Sequence, residues 1–267
     1  MRQMNIRRQS TGLGIVLLCT ALLSVPTAAT AQEAAQRLLL SAERSEQDGN
    51  LSAALTDYEM VSRQFPGTGV AGQALMRMLV IKRDEGDFAG ATNAANRLID
   101  DFPGTNHAAA GLFYVGDMQL DRARKPSEIE AVRESFRRVW LLFDPVAFPD
   151  LIYRAAARVR YAELDLRAGD LAGAELSYLA TLEGEPMSEW TMRSRLGLAG
   201  IYLERGEWTL AAETLQQAIN EATSLGKTEV ADEARTRLTL VHRLMLRPAV
   251  GDKRWQSAKS MSGLSLN

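Results

Sequence analysis

Cysteine is all but missing from this chain. The one copy, Cys19, lies inside an N-terminal apolar run, so neither an intrachain disulfide nor a cysteine-held metal is available. Histidine is nearly as scarce: His107 and His242 are the only two, too far apart for a two-histidine metal face and too few to supply a histidine-dependent triad readily. No Gly-rich phosphate loop occurs. Gly12-Leu13-Gly14 lies in the apolar run, and Gly67-Thr68-Gly69 lacks the Lys-Ser/Thr that would follow. Carboxylate pairs such as Asp84-Glu85 and Asp100-Asp101 fall at helix ends beside turns, where water solvates them. Charge of one sign is also lacking: the formal net charge is −2, without the clustered basic face that nucleic acid requires. No cofactor, no metal, no nucleic acid and no enzymatic reaction is expected.

The N-terminus carries an address. Arg2, Arg7 and Arg8 precede an apolar stretch from Leu13 to Val25, and Pro26 precedes Ala29-Thr30-Ala31. This order of parts predicts a secretory leader over residues 1–31, cut after Ala31, and a periplasmic or secreted product. The apolar stretch is shorter than the ~20 residues of a membrane span. Leu18 before Cys19 does not suit a lipoprotein signal, and Gln9-Ser10-Thr11 after the arginine pair does not suit a twin-arginine one.

What is abundant is periodicity. Phe65-Pro66-Gly67-Thr68 returns as Phe102-Pro103-Gly104-Thr105, a spacing of 37 residues. The turn at Gly49-Asn50 returns at Gly86-Asp87, and Gly169 and Gly206 stand 37 apart as well. Each interval holds two amphipathic helical patterns: Leu75, Met78 and Leu79 line one face before a Gly turn, and Ala91, Ala95 and Leu98 one face after it. Helices are predicted near 33–47, 51–64, 70–85, 88–101 and 228–246. A fixed period of two helices is the signature of a repeat array.

These residues resemble tetratricopeptide repeats. Repeat two supplies Leu75, Met78-Leu79, Gly86, Ala91 and Pro103; repeat four supplies Tyr161-Ala162, Gly169, Ala174, Tyr178 and Pro186; repeat five supplies Leu198-Ala199, Tyr202, Gly206, Trp208, Ala211 and Ala218. The resemblance implies an all-α fold: a right-handed superhelical solenoid of about five helix-turn-helix repeats over residues 32–247, closed by a capping helix. Repeat three departs from the pattern. Its turn reads Arg122-Ala123-Arg124-Lys125-Pro126, followed by Ser127 and Glu130 as an expected capping box, then a helix to Phe143 and a loop over 144–149. This insertion is either a spacer or a projecting docking element, and the helical spacing of Trp140 and Phe143 favours the spacer. Residues 248–267, rich in Ser and Gly and carrying Trp255, are expected to be a disordered tail.

In that family the first helices of the repeats line a concave groove that holds partner segments. Carried over by position, the groove comprises Gln73, Met76, Val80, Arg83 and Asp84 from repeat two, Phe113, Asp117, Leu120 and Asp121 from repeat three, and Val159, Glu163, Leu166 and Arg167 from repeat four. An apolar stripe edged by charge suits an amphipathic or extended segment; the same apolar residues equally suit packing between repeats. The Phe-Pro-Gly-Thr linkers are similar to those of two bacterial families, the repeat subunit of the outer-membrane β-barrel assembly machine and the coordinator of the Tol-Pal system. The expectation is a protein-binding scaffold in the cell envelope that meets membranes only indirectly. An accessory subunit of a peptidoglycan-active enzyme and a holdase chaperone are the rivals.

Overall fold

A computed structural model describes residues 28–120, 122–149 and 151–246. Among these residues there are eleven α-helices and no strand. The first five are α1 (Ala28–Gln47), α2 (Leu51–Gln64), α3 (Gly69–Asp84), α4 (Phe88–Asp101) and α5 (Asn106–Leu120). The others are α6 (Pro126–Leu142), α7 (Ile152–Arg167), α8 (Leu171–Gly184), α9 (Glu189–Arg205), α10 (Trp208–Ser224) and α11 (Thr228–Met245). Sequential helices pair antiparallel into five hairpins, and α11 closes the stack as a single cap. This is the all-α repeat solenoid that the 37-residue period predicts. The leader residues 1–27 and the tail from 247 lie outside the described residues; the expected cut after Ala31 falls within the first turns of α1.

The repeated tetrapeptide works as a hinge with a defined job at each position. Phe65 and Phe102 are the C-caps of α2 and α4, and the following Pro cannot continue a helix. Gly67 and Gly104 take φ of +72° and +69°, a left-handed conformation that side chains resist. The Thr68 hydroxyl donates back to Phe65 O at 2.7 Å and accepts from Ala71 N at 3.2 Å. Thr105 does the same toward Phe102 O and Ala108 N. One side chain therefore ends one hairpin and starts the next. At the intra-repeat turns the acid does the capping: Asp87 accepts from Gly90 N and Asp170 from Gly173 N, each at 2.9 Å.

Repeat three corrects one expectation. The cap of α6 is not Ser127 with Glu130 but lies two residues earlier. Pro126 occupies the first helical position, Lys125 is the N-cap, and the Glu128 carboxylate accepts from Arg124 N at 3.0 Å and Lys125 N at 3.2 Å. Proline needs no N–H partner at that position and sets the start. The insertion itself keeps register: α6 is the second helix of a hairpin with α5, and Val132, Phe136, Val139 and Phe143 are buried.

Among the described residues there is no single central core. Three overlapping apolar clusters run along the chain, with Tyr114 packed against the first two and Trp190 against the last two. The backbone of each odd-numbered helix lies close to that of the next odd-numbered helix, whereas among the described residues no two even-numbered backbones do; α2 and α4 are joined through the Arg97 side chain, which donates to Glu59 Oε2 at 3.0 Å and Ser62 Oγ at 2.9 Å. The odd helices thus form the inner side of a curve and the even helices its outer side.

Candidate interaction surfaces

The inner face is made by α3, α5, α7 and α9. Of the residues expected there, Gln73 and Asp84 are exposed, and Met76, Val80, Arg83, Asp117 and Glu163 are half-buried. Arg167 is exposed, with its Nη1 reaching Leu120 O at 3.5 Å. The apolar stripe is corrected. Phe113 is 5% exposed, Leu120 3% and Val159 1%, and Leu166 is buried as well. All four lie in the clusters between repeats, because each odd helix must satisfy its own hairpin partner, the preceding hairpin and both odd neighbours. Asp121 lies outside the described residues.

The inner face carries groups that spacing did not point to. Tyr114, Tyr153 and Trp190 are half-buried, and they connect α5, α7 and α9 edge to edge. The Tyr114 and Tyr153 rings are 6.0 Å apart, Phe113 and Tyr153 5.6 Å, and Phe113 and Trp190 6.0 Å. Contact between α5 and α9 passes over α7 and is reachable only on the concave side of a bend. Burial pushes the Tyr153 phenol up, and the neighbouring Tyr114 adds to it. Arginines sit at the margins of these rings: Arg83 lies 5.2 Å from the Tyr114 ring, and Arg160 and Arg193 each 5.6 Å from Trp190.

Those charges are already answered. Arg83 pairs with Asp84 at 2.8 Å and Arg193 with Glu189 at 2.8 Å. Arg160 meets Asp117 and Glu163, both at 2.9 Å. Its Nε makes an ion contact to Asp117 off the N–H direction rather than an aligned hydrogen bond. The middle of the inner face is therefore closed by its own rings and ion pairs. Its open part lies on α3, at Gln73, Met76, Val80 and Arg83. Tyr153 and Trp190 escaped the periodic pattern because they stand in the first turns of their helices, outside the repeat-defining positions.

A second concavity lies on the outer side. Between α2 and α4, above α3, a cleft of about 1010 Å³ opens. Its α2 wall includes Ser52, Leu55, Thr56, Glu59, Met60 and Arg63; its α4 wall is Gly90, Asn93 and Ala94; Met78 and Lys82 of α3 and its C-cap Glu85 lie beneath. These three residues each follow a member of the inner-face set Met76, Val80 and Arg83 by two positions. At 3.6 residues per turn they project roughly opposite it. The Lys82–Asp87 pair packs over Gly90 at one end of the cleft, and at the other Arg97 of α4 bridges to Glu59 and Ser62 of α2. Among the described residues no group of His, Cys, Asp and Glu could hold a metal ion, and no helix is long and apolar enough to cross a membrane.

No protein-family model matches the chain, and no curated protein matches it. Solved structures do. A thermophilic TPR protein of Thermus thermophilus is 18% identical with a TM-score of 0.51, covering 79% of this chain and 100% of that one. PilF of Pseudomonas aeruginosa is 14% identical with a TM-score of 0.52, covering 86% of this chain and 99% of that one. At such identities the likeness concerns the fold.

Proposed function

With a tetratricopeptide-type solenoid as the premise, we propose that this protein is a non-enzymatic scaffold that holds protein segments of a cell-envelope assembly. Folds of this type generally mediate protein–protein contact. The observation that carries the reading is the curvature: odd helices stack on one another and even helices do not. This leaves the α3 stripe of Gln73, Met76, Val80 and Arg83 presented along the inner side. Rigid repeats of this kind bind by presenting a preformed surface, which limits the ordering cost on association.

The periplasm is the proposed compartment, on the strength of the basic, apolar and Ala-Thr-Ala order in residues 1–31. Fractionation of cells with N-terminal sequencing tests the address: a periplasmic product starting at Gln32 supports it, and a cytosolic product with its leader intact overturns it. The scaffold reading is tested by affinity capture from envelope extract, comparing wild type with an Arg83→Glu/Arg167→Glu variant. A defined partner retained by the wild type and lost by the variant, with helical content unchanged, is the expected outcome. Retention by both moves the site off the inner face.

A further inference from the structure

We propose that the join between α6 and α7, at one edge of the solenoid, is a docking surface for a phospholipid bilayer that carries anionic headgroups. The surface lies at helix ends, away from the inner face of α3, and a direct contact with lipid goes beyond the indirect one expected from the sequence.

The two edges of the stack differ in chemistry. Because sequential helices are antiparallel, the turns inside hairpins lie at one edge and the links between hairpins at the other. The turns read Asp48-Gly49-Asn50, Gly86-Asp87 and Gly169-Asp170, all polar. At the opposite edge the join between α6 and α7 leaves Val146 90% exposed, Leu141 65%, Leu142 57% and Ile152 53%. Four large apolar side chains around one short loop are more than scattered surface residues. They make a protruding tip rather than a groove. Two such tips meet over little area, so a second copy fits badly, whereas a deformable lipid surface takes in each side chain.

The backbone of the tip has little need of water. In lipid every N–H must find its partner inside the protein. Between 145 and 149, Pro145 and Pro149 carry no N–H. Val146 N and Ala147 N donate to Asp144 Oδ1 at 2.9 and 3.0 Å, and Phe148 N donates to Asp144 O at 3.0 Å. Arg154 donates to Phe143 O at 3.2 Å and Phe148 O at 2.8 Å, so the tip is held in place while its apolar side chains stay outside. Asp144, the acid beside Val146, turns Oδ1 to the loop's own N–H groups and lies in the field of Arg154.

Charge selects the lipid. Arg137 and Arg138 are exposed, each four residues before Leu141 or Leu142. Each arginine therefore stands one turn behind a leucine, about 6 Å along α6. That offset matches the ~5–10 Å to which an apolar face sinks below the headgroups, and puts both guanidinium groups level with the phosphates. Arg137 is paired with Glu134, and Arg138 has no ion-pair partner among the described residues.

Cys19 is the only cysteine, so the full chain with Cys19→Ser and Val146→Cys takes a single environment-sensitive fluorophore at the tip. Asp48→Cys on the same background places it at the opposite edge. With vesicles of phosphatidylglycerol and phosphatidylethanolamine, the tip label should shift to the blue and the Asp48→Cys label should not. Half-shift should need about tenfold more lipid when the vesicles are phosphatidylcholine alone. Leu142→Asp should raise the half-shift concentration about tenfold, and Arg137→Glu/Arg138→Glu about as much, with helical content unchanged in circular dichroism. Added salt should weaken binding of the parent chain more than that of the double-arginine variant. An unshifted tip label, equal shifts at the two edges, or equal affinity for neutral vesicles overturns the proposal. So does a blue shift that grows with protein concentration in the absence of vesicles, which assigns the tip to a second copy. Arg83→Glu/Arg167→Glu should leave the half-shift concentration unchanged, so that failure of the inner-face reading and failure of this one are told apart.

Discussion

Removing the carboxylate of Glu185 tests how the third and fourth repeats are joined. Arg154 opens α7 with its side chain 1% exposed, and Glu185, the C-cap of α8, is equally buried at 1%. The pair is bidentate, Nε to Oε1 at 2.7 Å and Nη2 to Oε2 at 2.9 Å. The remaining Arg154 nitrogen donates to Phe143 O at 3.2 Å and Phe148 O at 2.8 Å, pinning the loop after α6. Arg158 adds a contact from its Nη1 to Glu185 Oε1 at 3.2 Å. Glu185→Leu strands a buried guanidinium and is expected to cost about 3–5 kcal/mol. Arg154→Met leaves Glu185 with Arg158 and strands only two carbonyls, so about 1–3 kcal/mol is expected. The double variant removes both charges and should cost less than the sum of the two singles by at least about 2 kcal/mol. Urea unfolding followed by circular dichroism measures the cycle. Because repeats unfold semi-independently, amide exchange in 143–152 locates the loss at the junction. A Glu185→Leu cost below about 1 kcal/mol, or an Arg154→Met cost that exceeds the Glu185→Leu cost, refutes the reasoning.

Three other outcomes follow from the same geometry. At Gly111 a Cβ would sit 2.6 Å from Ala95 O and 2.9 Å from Ile99 Cγ1; backbone cannot yield there, so Gly111→Ala should lower stability by about 1–3 kcal/mol in thermal melts. Thr68→Ala removes the N-cap of α3 together with the bond back to Phe65 O, and a loss of about 1 kcal/mol is expected. Burial of His107, whose ring meets Phe102 edge-on at 5.5 Å, holds its pKa below the usual 6.5. A depressed base binds fewer protons folded than unfolded, so stability present above about pH 6.5 is lost as pH falls toward the folded value. Between pH 7.5 and 5 the wild type should lose more stability than His107→Gln in parallel urea titrations; equal losses would place the pH sensitivity elsewhere.

The hairpins were legible because their ends carry chemistry that only a few residues satisfy. Phe65-Pro66-Gly67-Thr68 and its copy stop one helix, reverse the chain and cap the next, and the predicted bounds 51–64 and 88–101 agree with the structure at every residue. The start of α6 was less legible since Ser127 and Glu130 offered a second plausible cap, and only the proline at the first helical position decides between them. The inner face left two readings open in the sequence, and the choice between them is geometric. An even helix such as α6 touches only α5 and α7, whereas α7 touches α5, α6, α8 and α9. An odd helix therefore buries most of its circumference, and an apolar residue on it, such as Phe113 or Val159, faces a neighbour rather than a partner. What stays open on those helices is the narrow arc on α3 at Gln73, Met76, Val80 and Arg83, because Tyr114, Asp117, Arg160 and Glu163 are taken up by their own ring contacts and ion pairs. On the even helices the exposed arc is wide, and between α2 and α4 it is crossed by Arg97, which bonds Glu59 and Ser62.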